Sequence, residues 1–278
     1  MRVLVTGHVT GPQATSDVAH ALPVLRRRHS LDAVLVIGDN TSITGPAPMG
    51  GSGMTVQDRD ILLRAGTDLI LTGSHVWDPP DAAEAVSHPQ VLRCANLADK
   101  SRPGQGTVVL DIAGEQLAVV QLGDPAAVDG ASHPYDAWQT VRPRLATLVH
   151  FIADIWHACL LASVLDGQCA VLVNSLSHVA TRDLQILPNG TAFVADIGYV
   201  GPPGGIGGSG GFDPAHFTAA YLGRDTSDLA PYRLTDGPTQ MSAVLADIDT
   251  ATSHIREFSW IRSLRAGLAQ GRRAPRLR

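Results

Sequence analysis

Five short segments of this 278-residue chain carry side chains able to bind a metal or move a proton, and each follows an apolar run. "RVLVTGHVTG" places His8 where a buried strand gives out, and "AVLVIGDN" ends in Asp39 and Asn40. "DLILTGSH" ends in Ser74 and His75, with Asp78 three residues further on. Ser177 and His178 follow "AVLVNS", and Asp196 closes "TAFVAD". A single Asp or Asn after a strand is usually only a turn residue. Donors, acceptors and titratable groups delivered to one level by five strands point instead to a site, because open α/β sheets bind ligands beyond the carboxyl ends of their strands. His8 is the odd member: strands of this kind often end in an acid that holds a metal or a ribose, and here the position carries an imidazole.

The elements that must position these groups alternate along the chain. "RVLVT", "AVLVIGDN" and "DLILTGSH" are continuous apolar runs, the mark of strands buried on both faces. "SDVAHALPVLRRRH" carries Val18, Leu22 and Leu25 at helical spacing, with Pro23 as an interruption. "TVQDRDILLRAG" reads as a helix with Thr55 as N-cap and Gly66 as its stop. "TVVLDIAGEQLAVVQLGD" predicts a hairpin turning at Ala113–Gly114–Glu115. Further strands are "ATLVHFIA", "CAVLVNS" and "TAFVADIG", and "QMSAVLADIDTATSHIREFSWIR" predicts a second hairpin turning between Asp249 and Thr252. The glycine-rich stretches "GPAPMGGSG" and "GPPGGIGGSGG" sit where loops cross the end of a sheet. The fold class is α/β and layered, with a strand-rich later part.

Composition narrows the function classes. A net charge of −5 argues against general nucleic-acid binding, whose footprint is a basic patch. No apolar run approaches the ~20 residues needed to cross a bilayer, and no signal peptide precedes the first strand. Cys94, Cys159 and Cys169 are odd in number and fit no zinc spacing, so a reducing cytoplasm is the expected compartment. The chain is expected to be one domain over residues 1–278, with 265–278 a flexible basic tail. A small-molecule substrate is expected, with no membrane partner; a homo-oligomer is left open. His20, His29, His88, His133, His216 and His254 read as surface residues. His157 lies in the apolar helical stretch "ADIWHACLLASVL" and reads as a packing residue, Cys159 and Cys169 as buried hydrophobes, and Trp77 as packing the loop that presents His75.

Order and spacing together resemble the calcineurin-type metallophosphoesterase superfamily, in particular the YmdB-like branch of cyclic-nucleotide phosphodiesterases. "GHVTG" at Gly7 to Gly11 stands where that branch has "GDVVG", "IGDNTSITG" where it has "NGENAAHGxG", and "GSHVWD" at Gly73 to Asp78 where it has "GNHTWD". "RCANL" echoes "RPANF", "DGQCAVLVNSLSHVATRD" echoes "DGRVSAVVGTHTHVPTAD", and "ILPNGTAFVADIGYVGP" is close to "ILPxGTAYxTDVGMTGP". The similarity covers nearly the whole chain and implies a layered metallophosphoesterase-type β-sandwich flanked by helices. The GxxxG at residues 7–11 is then no dinucleotide fingerprint, since it lacks that spacing.

In the family two metal ions share a bridging carboxylate and a hydroxide that attacks phosphorus in line, while a histidine protonates the leaving oxygen. The resemblance places His8, Asp39 and His178 at the first metal site, all able to ligate, with Asn40 retained beside them. It places Ser74, Leu176 and either Phe151 or Ile152 (a one-residue slip decides) at the second site, where the apolar members cannot bind a metal. His150 stands one or two positions from the lost ligand, but a single step along a strand points to the opposite face. His75 matches the leaving-group acid, its ring held by Asp78 or by a loop carbonyl.

The implied site is therefore His75 and Asn40 as catalytic groups, His8, Asp39 and His178 as metal ligands, and Ser74 and Asp196 as substrate contacts. The implied cofactor is one divalent ion, Fe, Mn or Zn, because two imidazoles and a carboxylate suit any of them. Losing a carboxylate together with a metal avoids burying excess charge. The function this implies is a metallophosphoesterase-fold enzyme with a remodelled one-metal or His/Asp acid–base centre, divergent from two-metal phosphodiester hydrolysis and compatible with specialised biosynthesis. An ordinary phosphodiesterase or phosphatase on small nucleotides, and a catalytically dead binding homologue, stay open. So do plainer roles: His8 as a hydrogen-bonded core histidine, Asp39 as a loop cap, and His178 as a relic.

Overall fold

The structure is a computed structural model and describes residues 1–43, 52–203, 205, 213–229 and 233–262. Most of both glycine-rich stretches and the basic tail expected at 265–278 lie outside the described residues. In chain order the first half comprises β1 (Arg2–Thr10), α1 (Gly11–His29), β2 (Ala33–Asn40), α2 (Val56–Arg64), β3 (Leu69–Leu71), α3 (Ala82–Val86), β4 (Val91–Leu92), β5 (Thr107–Ile112) and β6 (Glu115–Gly123). The second half comprises α4 (Pro134–Val141), β7 (Thr147–Ile152), α5 (Ile155–Leu165), β8 (Val171–Asn174), β9 (Gln185–Ile186), β10 (Ala192–Val194), β11 (Tyr199–Gly201), α6 (Pro214–Tyr221), β12 (Gln240–Ile248) and β13 (Ile255–Arg262).

The strands form two sheets, ordered β13-β12-β11-β1-β2-β3-β4 and β5-β6-β7-β8-β10-β9. One core lies between the sheets, where Val3, Val5, Leu35, Ile37 and Leu71 meet Leu117, Val119, Leu148, Val171 and Val173. Val18, Leu22 and Leu25 of α1 and Leu62 of α2 cover the outer face of the first sheet. Trp138 of α4 and Ala158, Leu161 and Leu165 of α5 cover that of the second. The architecture is the helix-flanked β-sandwich that the sequence predicts.

Local signals account for most elements. Thr55 and Asp58 form a reciprocal capping box at the start of α2, each side chain accepting the other's backbone N–H at 3.2 Å. Both predicted hairpins are present, β5–β6 and β12–β13. Pro23 does not interrupt α1, which runs unbroken through it. The side chain is exposed, so the carbonyl that loses its helical partner there has access to water.

Strand parity decides what faces the space between the sheets. On β2, Leu35 and Ile37 face inward, and Asp39 continues that alternation. On β7, Leu148 faces inward while Val149 and Phe151 face α4 and α5. Strict alternation on β1 from Val3 and Val5 would turn His8 outward. A register shift between Val5 and His8 resets the phase, so that Val9 packs on the helix side and His8 turns in. Gly7 makes the neighbouring contact possible: a Cβ there would lie 2.4 Å from the Gly198 carbonyl oxygen, the atom that accepts the next N–H, that of His8, at 3.0 Å.

Candidate functional site

At the carboxyl ends of β1 and β2 and in the loops after β3 and β8, the structure brings together five of the residues singled out by sequence: His8, Asp39, Asn40, His75 and His178. His8 and Asp39 are each 1% exposed. The rings of His8 and His178 meet edge to face with centroids 4.4 Å apart. Asn40 Nδ2 lies 3.2 Å from His178 Nε2; donating there, the amide leaves that nitrogen as acceptor and the ring proton on Nδ1. His178 sits at φ 60°, a left-handed conformation uncommon outside glycine, so its position is imposed by its surroundings.

His8 is not the hydrogen-bonded core histidine of the plainer reading. Neither ring nitrogen has a hydrogen-bond partner among the described residues. Burial holds its pKa well below the usual imidazole range, and His178, His150 and His75 add to the depression. The ring is therefore neutral at neutral pH, the form in which histidine ligates metals. An unsatisfied buried polar atom costs on the order of 1–3 kcal/mol, so two on one ring call for an explanation.

Asp39 does cap a loop. Its Oδ1 accepts the His75 backbone N–H at 3.1 Å, and the Gly73 N–H bonds to the same carboxylate. Gly73 is required here, since a Cβ would fall 2.1 Å from Asp39 Oδ2. Burial dominates over these bonds and raises the carboxyl to about 6. His75 itself is at the surface of the cleft, and its Nδ1 lies 2.9 Å from Asp78 Oδ2. That contact sets the ring with Nδ1–H toward Asp78 and Nε2 free to exchange a proton. Ser74, next to it, is half-buried.

Asp196 is fully buried and has four donors around it. Its Oδ2 accepts from the backbone N–H groups of Leu176 (3.1 Å) and Ser177 (2.7 Å) and from the Ser177 hydroxyl (2.8 Å), and its Oδ1 from Gly198 N–H at 2.7 Å. Burial raises its pKa, and these bonds oppose the rise. Asn174, which the sequence reading passed over, pins the start of the same loop by bonding Ala153 N–H and the carbonyls of Ala153 and Ala195. An uncharged amide at the end of a buried strand was the available signal.

His150 was placed by the single-step argument on the far face of its strand, and the structure corrects this. The step from Phe151 does reverse the face, but it is Phe151 that points to the helices, leaving His150 inward beside Leu148. His150 Nε2 lies 2.7 Å from Ser175 Oγ, its Nδ1 has no partner among the described residues, and burial pushes its pKa down to about 3. Ile152 and Leu176 pack with Cys94, Leu97, Val128 and Trp77 in a small apolar cluster. His157 is a second correction: instead of packing, its half-exposed ring bonds Asp154 at 2.6 Å, with Asp124 3.9 Å away. Cys94 and Cys169 are buried thiols pushed up to about 12, and Cys159 is only partly buried. Among the described residues, no three His, Cys, Asp or Glu side chains gather closely enough to hold a metal ion unaided. No helix among them is long and apolar enough to cross a membrane.

A two-sheet sandwich with His, Asp and Asn at the strand ends on one side is the architecture of the metallophosphoesterase class of hydrolases. The chain belongs to the YmdB-like protein family, whose family model matches residues 4–261. It is 28% identical to the 2′,3′-cyclic-nucleotide 2′-phosphodiesterase of Bacillus subtilis (strain 168), an alignment covering 91% of this chain and 93% of that protein. Among solved structures it resembles a hypothetical protein from Thermus thermophilus, with TM-score 0.81 and 26% identity over 95% of this chain and 99% of that one. It has the same fold as a Mycoplasma pneumoniae protein described as a novel phosphatase, with TM-score 0.83 and 21% identity over 95% and 93% of the two chains.

Proposed function

We propose that this chain is a phosphoesterase-fold enzyme with a remodelled centre, holding at most one divalent ion and relying on His75 for proton transfer. The observation that supports this reading is the apolar packing of Ile152 with Leu176, and of Phe151 against the helices, since the resemblance assigns Leu176 and either Phe151 or Ile152 to the second metal. Apolar side chains have no lone pairs to offer an ion, and stripping water from a dication without replacement is prohibitive.

The first site retains ligand chemistry. His8, neutral and with both nitrogens unbonded among the described residues, fits one ion held through imidazole, and His178 against it joins that ion by releasing its Nε2 from the Asn40 amide. Asp39 keeps lone pairs to offer the same ion while its carboxylate accepts the backbone N–H groups of the 73–75 loop. A bound ion supplies Lewis-acid polarisation of a phosphoryl or carbonyl oxygen. Asn40 orients His178, and Asp196, with its carboxylate taken up by loop donors, positions that loop rather than contacting substrate. His75, its tautomer set by Asp78, delivers or removes a proton at Nε2, and the half-buried Ser74 beside it is the proposed substrate contact.

The substrate class we infer is a small phosphate ester or a related small molecule, in a specialised biosynthetic step in place of general cyclic-nucleotide turnover. Metal analysis of chelator-free protein tests the reading. At most one transition metal per chain is expected; two tightly held ions overturn it, and none under any loading condition moves the centre to metal-free acid–base chemistry.

A further inference from the structure

Away from the candidate site the two sheets border a groove of about 600 Å³. Its walls are the segments 142–146, 167–169 and 189–190, which lead into β7, β8 and β10, and the 250–254 turn between β12 and β13. Strands β7, β8 and β10 run parallel, and β12 ends where β1 begins, with Arg2 opposite Asp247. The groove therefore lies at the amino ends of the strands, whereas His8, Asp39 and His75 lie at or beyond the carboxyl ends. The length of β7, about 20 Å of extended chain, separates the two.

We propose that this groove binds a small phosphorylated metabolite, its phosphate held by Arg142 and Arg144 and its hydroxyl-bearing body by Asn189, Thr252 and Ser253. The first argument is charge. The chain has a net charge of −5, yet the lining carries two arginines and His254 and no carboxylate. The acids of the bordering loops are already engaged. Asp166 accepts the Asn189 and Thr191 N–H groups at 2.9 and 3.3 Å, and Asp249 accepts from Arg256 at 2.9 Å. Glu115 takes the Met1 ammonium at 3.2 Å and the Thr250 hydroxyl at 3.0 Å. Arg142 and Arg144 pair with no carboxylate among the described residues, which leaves both guanidinium groups available to a phosphate.

Geometry is the second argument. Arg142 Nη1 donates to Gln168 Oε1 at 3.1 Å, and the same oxygen accepts from Trp138 Nε1 at 3.3 Å. Gln168 is anchored in turn by donating to the Val164 carbonyl at 2.7 Å. An uncharged amide thus aims the guanidinium without neutralising it, which preorganises the wall for an anion. Arg144, two residues on, adds its charge to the same wall. Size selects a phosphate ester over the free ion. The volume is in the range of pockets that hold whole small molecules and far exceeds a bare phosphate ion. Asn189, Thr252 and Ser253, across from the arginines' segment, offer the donors and acceptors that sugar-like hydroxyls need.

Amide hydrogen exchange of the full chain with ribose 5-phosphate, inorganic phosphate or ribose tests this. Ribose 5-phosphate should slow exchange in peptides covering 142–146 and 250–254, with Kd on the order of 100 μM or tighter. Inorganic phosphate should need at least ~10-fold more ligand for the same protection, and ribose should give none. Arg144→Gln, at an exposed position, should weaken the ester at least ~10-fold while the free chain melts unchanged. Arg64→Gln, on an exposed arginine of α2, should leave binding intact. Equal protection by inorganic phosphate upholds the anion site with the free ion as its ligand. Protection confined to 39–40 and 73–78 overturns the proposal, because it places the ester at the candidate site alone. So does an absence of protection at about ten times the stated Kd, protection by ribose, or binding that survives Arg144→Gln or is lost equally in Arg64→Gln.

Discussion

The two halves of the site have similar backbones and opposite chemistry. On the first sheet, β1 and β2 and the loop after β3 end in His8, Asp39, Asn40 and His75, each polar and all but His8 hydrogen-bonded to another polar group. On the second sheet, β7 ends in Ile152, which packs with Leu176 and Cys94. Both halves are equally well supported beneath: Asp39 is tied by Gly73 and His75, and the loop from Asn174 to His178 by Asn174, His150 and Asp196. The contrast lies in the side chains at the rim and not in the scaffold. One scaffold thus carries polar side chains at one part of its rim and apolar packing at another, which is why fold alone does not specify a reaction.

The largest effect should come from the polar half. His75→Gln keeps a hydrogen bond to Asp78 but cannot shuttle a proton near neutral pH, so turnover should fall by ~10²–10⁴ with metal content and melting temperature unchanged. A Gln variant that keeps most of its activity would make His75 scaffolding and remove the chemical half of the contrast. Next comes metal affinity. His178→Ala takes away one imidazole of the adjacent pair and should weaken the bound ion by at least ~10–100-fold in competition with a chelator dye, the range seen even for loss of a ligand's supporting partner. Unchanged affinity would place the ion elsewhere.

A smaller effect belongs to the support beneath the apolar half. In the folded chain His150 titrates at about 3, whereas a free imidazole titrates near 6.5. Below pH 6.5 the unfolded chain thus binds a proton that the folded chain refuses, and stability falls as pH drops from about 6.5 toward 3. One such proton contributes at most ~1.4 kcal/mol per pH unit. His150→Asn should flatten that limb of the melting-temperature profile, and an unaltered limb would show that His150 is charged or absent from the balance. The smallest expected effect is none. His8→Asp supplies on one side only the carboxylate that the resemblance implies, so both the native chain and the variant should show weak or no manganese-stimulated cleavage of 2′,3′-cyclic nucleotides. Robust turnover by either protein would show that the apolar half does not limit the reaction.

Much of this was legible in the residues. Unbroken apolar runs marked β1, β2 and β3, since a strand covered on both faces has no polar side to show. Thr55 with Asp58 and the turn at Ala113–Gly114 marked their elements because caps and turns are local chemistry. The three-residue step from His75 to Asp78 placed a carboxylate within reach of the ring, again a local matter. Pro23 misled, because whether a proline ends a helix depends on what holds the rest of it, and α1 is held by Val18, Leu22 and Leu25 against the sheet.

Tertiary structure decided the rest. Whether His8 faces the cleft turns on a register shift between Val5 and His8 that arises from the pairing of β1 with β2. Whether His150 or Phe151 looks inward turns on the phase of β7 against the opposite sheet. Three of the four donors around Asp196 come from Leu176 and Ser177, and no spacing rule links a carboxylate to a loop nineteen and twenty residues upstream. Sequence alone determined which residue types stand at the strand ends, because periodicity and turn chemistry act over a few residues. Which of them meet was decided by strand register and sheet packing, where a slip of one residue reverses every side chain.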